Sequence, residues 1–434
     1  MHKLKVTLKQ HTPLLHFQHE QEGATLRASE VKPKLDKYII KHSFHDNFEE
    51  CKEFLVGYNP DPDKKEDSIK KLRSKWEKGF RALNYKMRIE AKRPSTREEY
   101  LIASYVKRKD KEDAENCGIN IIANTPYFAQ EKQNADLFHA ENSLKDEIWN
   151  EFEKKGIIEK DDDILTITWF VDCKPELWTY EVQSFFLANN FGTRQSKGFG
   201  SYEATKLELD GTNIPPKQTE ELLKRDFQFV YKKTTKNSLD KIFETINRDY
   251  KLIKSGQRAD NNNPYLKSKL MLYLPKETGW DKKFIKEAFS NGNFGDYKLK
   301  VEPENSNTQH RICDQYVFVR ALLGLAENFE FLLENPPHGN KNNKLIVKIS
   351  NSDIRRYKSP LLFKVIGNVV YLVGNDIDTR MLDKKFKFSG TIQGDNRYKD
   401  IPLGEIDTPK TFSLVDFIRF AMSDNENLNY TKLK

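Results

Sequence analysis

The stretch with the clearest chemical potential is Gly192-Thr193-Arg194-Gln195-Ser196-Lys197-Gly198-Phe199-Gly200-Ser201-Tyr202. Three glycines let a backbone turn sharply and approach a ligand closely. Successive N–H groups in such a loop can cradle phosphate. Arg194 and Lys197 add positive charge, Gln195 adds a polar side chain, and Phe199 is available to stack on a base or to pack. Two familiar phosphate loops do not fit. No Gly-Lys-Ser/Thr ending marks a P-loop, and no Gly-x-Gly-x-x-Gly opens a helix after a strand. Lys197-Gly198-Phe199-Gly200 matches the start of the RRM signature. Ser201 and Ala204 then stand where that signature needs aromatics, so a standard RRM fits poorly.

A second basic segment lies near the start, at Leu26 to Lys37. Arg27, Lys32, Lys34 and Lys37 fall on a helix in which Arg27, Lys34 and Lys37 share one edge. Beside the glycine loop, such an edge would track a sugar–phosphate backbone. A solvated charged face explains the same residues.

Catalytic groups are harder to assemble. His11, His16 and His19 cluster near the first strand, and imidazole moves protons near neutral pH. Their spacing fixes no shared face. Asp161-Asp162-Asp163 could face Mg²⁺, yet it sits where an acidic turn needs no further explanation. Cys51, Cys117, Cys173 and Cys313 are far apart and form no CxxC pair, so neither a zinc site nor a disulfide framework is indicated. The reading is no catalytic residue, no metal and no cofactor.

The elements that must position these groups show in the periodicity. Leu4, Val6 and Leu8 alternate with polar residues as a half-buried strand. Ser29 is placed to cap a helix carrying Val31, Leu35, Tyr38 and Ile39. Trp76, Phe80 and Leu83 suggest a short amphipathic helix. Ile119 to Ala123 reads as a strand, and Ser143 to Phe152 as a helix closed by Gly156. Ile164 to Val171 is a strand, followed by a helix through Trp178, Val182 and Phe186 that ends near Gly192. Residues 209–220, with Gly211 and Pro215-Pro216, read as a linker. The order then restarts: a strand at Phe227, Phe229 and Tyr231, a helix through Leu239, Ile242, Phe243, Ile246 and Ile253, strands at 345–349, 361–366 and 369–373, and a last helix over 413–422. This succession favours α+β over a doubly wound parallel sheet.

With 434 residues the chain has room for two or three domains. At 37% hydrophobic and 32% charged it can build sizeable cores. The net charge of +8 permits a polyanionic partner without requiring one. No stretch of 18 apolar residues occurs and the N-terminus lacks an apolar h-region, so neither a membrane span nor a signal peptide is expected. A reducing cytoplasm fits the cysteines.

Thr12-Pro13-Leu14, then Leu26-Arg27 with Ser29-Glu30-Val31-Lys32, resembles the opening of RAMP proteins. Gly192 to Tyr202 is similar to that superfamily's glycine-rich loop. Arg320 to Leu325 and Arg356 to Leu361 look like features of one member, the first-named RAMP subunit of the Cmr module in type III-B CRISPR effector complexes. Pro33 stands where the pattern has glycine. The resemblance implies tandem ferredoxin-like (RRM-like) domains with inserted helices and loops, spanning 1–208 and 221–434. It implies guide and target RNA and another RAMP subunit as partners, and no cofactor. The expected function is a non-catalytic RNA-binding subunit. A metal-independent endoribonuclease that processes guide RNA, and a protein–protein adaptor without RNA contact, are the alternatives. The residues expected at RNA are Arg27, Lys32, Lys34, Lys37, Arg194, Gln195, Lys197, Gly198, Phe199 and Gly200.

Overall fold

The computed structural model describes residues 2–15, 26–90, 97–103, 111–112, 115–116, 118, 120–126, 155–159, 162–169, 175–258, 265–275, 278–292, 294–300, 315–326, 328–334, 344–423 and 427–434. The fold is α+β. In the first half, strand β1 (His2–Gln10) is followed by helix α1 (Ala28–Phe44) and helix α2 (Pro62–Glu77). Then come β2 (Tyr85–Glu90), β3 (Asp163–Trp169), helix α3 (Pro175–Ala188), β4 (Tyr202–Leu209) and β5 (Thr212–Ile214). They form an antiparallel sheet in the order β2-β3-β1-β4-β5. The alternation in β1 does what period two requires: Leu4, Val6 and Leu8 are fully buried. Val31, Leu35, Ile39 and Ile40 bring α1 into the same core, with Phe185 and Phe186 from α3.

The second half repeats this plan. Helix α4 (Thr219–Asp226) leads into β6 (Phe229–Thr234) and helix α5 (Leu239–Lys254). The sheet is completed by β7 (Leu361–Ile366), β8 (Val369–Gly374) and, after helix α6 (Leu414–Met422), β9 (Thr431–Lys432). Its order is β7-β8-β6-β9, antiparallel throughout. Counting strands within each half, both sheets therefore run second, third, first, fourth, and each half has the β-α-β-β-α-β succession. Into the first half, between β2 and β3, is set a three-stranded sheet of Asn120–Ile122, Arg97–Ile102 and Lys155–Glu159. Into the second is set an antiparallel sheet of Lys298–Leu299, Asn328–Glu334, Lys344–Ser350, Lys385–Ile392 and Ile401–Asp407.

Several local expectations shift. Arg27, not Ser29, is the N-cap of α1, and its side chain makes no capping hydrogen bond. Helix α2 ends before Phe80 and Leu83. Gly156 lies within a strand, where a Cβ would come 2.7 Å from Pro13 Cβ. The helix expected over 143–152 lies outside the described residues. The stretch 209–220 is not bare linker. Gly211 turns a hairpin that adds β5 to the first sheet, and Thr219 begins α4.

The halves meet through β7. Phe363 and Val365 point into the second core beside Phe243 and Ile246 from α5. On the opposite face, Leu362 joins Leu187 of α3. Lys364 shares that face and is fully buried. Its ammonium donates to the carbonyls of Phe186 (2.6 Å), Asn189 (3.0 Å) and Tyr202 (2.8 Å) and to Asn190 Oδ1 (3.3 Å). Burial pushes its pKa down to about 7, with Glu203 opposing. At the outer side of the same joint, Asp226 accepts from the Tyr38 hydroxyl and from Ser184 Oγ, tying α1, α3 and α4 together.

Candidate nucleic-acid interface

The glycine loop begins at Gly192, four residues after the end of α3, and is fixed from both sides. Gly192, Gly198 and Gly200 all have positive φ (+73°, +88° and +65°). A Cβ at Gly200 would come 2.0 Å from Phe191 O, and one at Gly192 would come 2.3 Å from Leu15 O. One at Gly198 would meet Ile246 Cδ1 at 2.7 Å. The loop N–H groups are largely committed within the protein. Gly192 N–H donates to Glu30 Oε1 (2.9 Å), Thr193 to Leu15 O (2.7 Å), Gly200 to Pro13 O (2.9 Å) and Ser201 to Thr12 Oγ1 (2.9 Å). The second half grips the other side. Phe363 N–H donates to Ser196 O (3.1 Å), and Ser201 Oγ donates to Val365 O (2.6 Å).

This arrangement corrects part of the expectation. Phe199 is fully buried and stacks on Phe243, with ring centroids 4.1 Å apart, so it packs the joint instead of facing a base. Gly198 and Gly200 face protein neighbours where a phosphate cradle was expected. Gln195 Nε2 closes the loop onto Gly192 O (2.6 Å). Lys32 is held by Asp36 Oδ2 (2.9 Å) and Leu83 O (3.0 Å) over the Tyr85 ring, a contact internal to the first half. Arg194 is 6% exposed, with Nη1 3.5 Å from Thr125 Oγ1. Arg27 and Lys37 are exposed on α1.

The structure does bring the loop and α1 together. Glu30 Oε1 accepts from both Lys34 Nζ and Gly192 N–H, each at 2.9 Å. Lys358 of the second half lies close enough to Lys34 that, after burial, Lys34 is what lowers its pKa.

A group of cations gathers on the loop's far side, toward α5 and the turn Val319–Leu323. Lys197 reaches over the Tyr250 ring (4.7 Å). Its pKa falls to about 7 through burial, then through Arg194 and Lys251. Lys254 falls to about 7 through burial, then through Arg320 and Lys197, with Asp281 opposing. Its ammonium donates to Gly324 O (2.8 Å) and Leu323 O (3.1 Å). Burial also lowers Lys251, and lowers Arg194 to about 10. Arg320 is itself balanced by the buried Asp281, which accepts from its Nε at 2.9 and 3.0 Å. Cations that depress one another in a desolvated joint gain by taking an anion among them. Lys251, Lys254 and Lys358 do not emerge from sequence periodicity, because each sits beside residues that read as core. The basic–aromatic run Tyr250-Lys251 was the available signal.

The remaining candidates for chemistry separate from this cluster. His11 Nδ1 accepts from Gly367 N–H of the second half (3.1 Å) while Nε2 faces Glu203 of β4 (3.3 Å), so both nitrogens are engaged. His16 and His19 lie outside the described residues. Asp163 is buried at the start of β3. Among the described residues no group of three His, Cys, Asp or Glu could hold a metal ion, and no helix is long and apolar enough to cross a membrane.

Two antiparallel sheets of matching strand order thus meet at the glycine-rich loop. A family model described as Cmr1 N-terminal domain matches residues 1–257, and one described as Cmr1 C-terminal domain matches residues 265–434. The chain belongs to the Cmr1 family, RAMP subunits of the type III-B Cmr module. No curated protein matches it significantly. The first matched region runs past β5 through β6 and α5, although β6 pairs only with strands of the second.

Proposed function

We propose that this chain is a non-catalytic RNA-binding subunit of a type III-B CRISPR effector ribonucleoprotein. In this reading it holds guide and target RNA at the junction of its halves and docks to a neighbouring RAMP subunit in the cytoplasm, in antiviral defence. The two halves are read as ferredoxin-like units over 1–208 and 221–434, a reading supported by their matching strand order.

The observation that carries the RNA assignment is the convergence of Lys197, Lys251 and Lys254 beside Arg194, with burial lowering all four. Phosphate is the anion such a group of cations suits, and its contacts fix position without reading sequence. Arg27, Lys34 and Lys37 continue positive charge along α1, with Lys358 of the second half near Lys34. The engagement of both His11 nitrogens speaks against that residue as a general base.

The test is incubation of the purified chain, alone and in the assembled complex, with repeat-containing RNA. Retention of uncut RNA is expected. Specific cleavage that tracks this chain would replace the proposal with the endoribonuclease reading, and inert protein in both settings would replace it with the adaptor reading.

A further inference from the structure

Helix α2 belongs to an excursion between α1 and β2, away from the junction. Its core contacts are few: Ser68 and Leu72 are its only buried residues. Lys71 and Lys75 are spaced i, i+4 and Lys78 follows at i+7, so the three lie along one face. All are exposed. Among the described residues no carboxylate pairs with any of them, although Lys64, Lys65, Lys70 and Arg73 of the same helix are paired with Asp61, Glu53, Glu66 and Glu49. Like charges one turn apart cost an isolated helix a few tenths of a kcal/mol. The macrodipole favours cations in this last turn and explains Lys75 and Lys78 in part.

The macrodipole does not explain Phe80. The helix ends in a Schellman motif: Gly79 N–H donates to Trp76 O (2.9 Å) and Phe80 N–H to Lys75 O (3.0 Å), with Gly79 at φ +85°. The residue at Phe80's position in this motif ordinarily packs on an apolar side chain in the last turn. Here the facing residue is Lys75, and Phe80 is left 71% exposed. The cap thus holds an aromatic ring in water at the end of a row of lysines. On a 1.5 Å rise that row is about 10 Å long, roughly the span of three stacked nucleotides.

We propose that this helix end is a second single-stranded RNA contact, separate from the junction, in which Lys71, Lys75 and Lys78 meet phosphates and Phe80 stacks on a base. Rows of cations beside an exposed aromatic are how proteins hold single strands without reading sequence. An acidic protein surface would satisfy the lysines and leave the ring without a planar partner, so RNA is the occupant the arrangement favours. The inference rests on the RNA-binding reading above and extends it to a second surface.

The test uses the full chain and poly(U). Phe80→Trp places a fluorophore at the ring position, and its signal is taken as the difference from the wild-type chain, which has five tryptophans of its own. Saturable quenching by poly(U) is expected, with much less by duplex RNA, whose bases are already stacked. Replacing Lys71, Lys75 and Lys78 together by alanine should abolish that quenching. It should also lower the log–log salt slope of poly(U) binding by about 2. Phe80→Ala should weaken binding by at least about fivefold with the slope unchanged. All four positions are exposed, so folding should be unaffected, and melting temperatures check this. If the wild-type chain binds poly(U) but the lysine and Phe80 variants match it in affinity and slope, the proposal is overturned while the junction reading stands. If the wild-type chain binds poly(U) neither alone nor in its complex, both fall together.

Discussion

The ammonium of Lys364, on the second sheet, lies 3.3 Å from the Oδ1 of Asn190, in the turn between α3 and the glycine loop. The same Asn190 side chain donates through Nδ2 to the carbonyls of Phe363 (2.9 Å) and Gln195 (2.7 Å). One amide therefore reads the loop and strand β7 at once, and Lys364 satisfies the carbonyls that the end of α3 leaves open.

Lys364→Met removes a donor shared by four buried or half-buried acceptors, and the expected loss is on the order of 3 kcal/mol or more. The pH dependence has a definite sign. Burial holds the folded pKa at about 7, below its ordinary value of about 10.4. Between those values the unfolded chain keeps a proton that the folded chain has lost. This group's contribution therefore makes stability rise with pH across that window, and its cost is greatest below pH 7. The methionine variant lacks the term, so its deficit should widen between about pH 6.5 and pH 9, measured by denaturant midpoints. A deficit that does not change with pH would count against a desolvated ammonium.

At the junction, Lys197→Ala and Lys254→Ala should each reduce the salt slope of single-stranded RNA binding by about 0.7. Burial brings the pKa of both lysines down to about 7 in the free chain. A bound phosphate raises their pKa, so binding takes up protons and affinity falls as pH rises above about 7. Lys197→Arg keeps its charge and should flatten part of that fall. Titrations by fluorescence anisotropy at several pH values read both effects.

The loop glycines should differ in their tolerance of a methyl group. Gly200→Ala puts a Cβ against the Phe191 backbone at positive φ, and the expected loss is about 3 kcal/mol or more. Gly198→Ala meets only the movable tip of Ile246, so about 1–2 kcal/mol is expected. Thermal melts of the two variants test the order. If Gly198→Ala is the more damaging, the loop is not built as described.

Asp281→Asn leaves the Arg320 guanidinium without its buried counter-charge and should destabilise by about 3–5 kcal/mol. It also removes the one carboxylate that opposes the fall in the Lys254 pKa, so junction affinity for RNA should become more sensitive to pH. Unfolding curves and pH titrations of the same variant separate the two effects.

Much of the fold was legible because its strands and helices obey simple periods. Leu4, Val6 and Leu8, the α5 face of Ile242, Phe243, Ile246 and Ile253, and the strands from 361 to 373 all lie where alternation or helical spacing puts them. In the inserted sheets, Asn120–Ile122 and Lys344–Ser350 lie where the apolar runs at 119–123 and 345–349 put strands, whereas the charge-rich Arg97–Ile102 carries no clear alternation. The glycine loop was legible as a place where backbone comes close to something. Sequence could not say that the something is Phe191, Leu15 and Ile246, because those contacts depend on how the halves meet. Lys364 shows the same limit. A charge inside an apolar run reads as an interruption until the other half supplies its acceptors.

The course of β6 has a practical consequence for anyone dividing the chain. Its neighbours on either side, β8 and β9, come from residues 369–374 and 431–432. Expressing residues 1–257 alone would leave that strand bare along both edges, an invitation to pair with other molecules. Cutting instead near residue 215 would bare the seat of Lys364 and separate Phe199 from Phe243. Neither piece keeps its contacts without the other, so heat or denaturant should melt the two halves in one cooperative step.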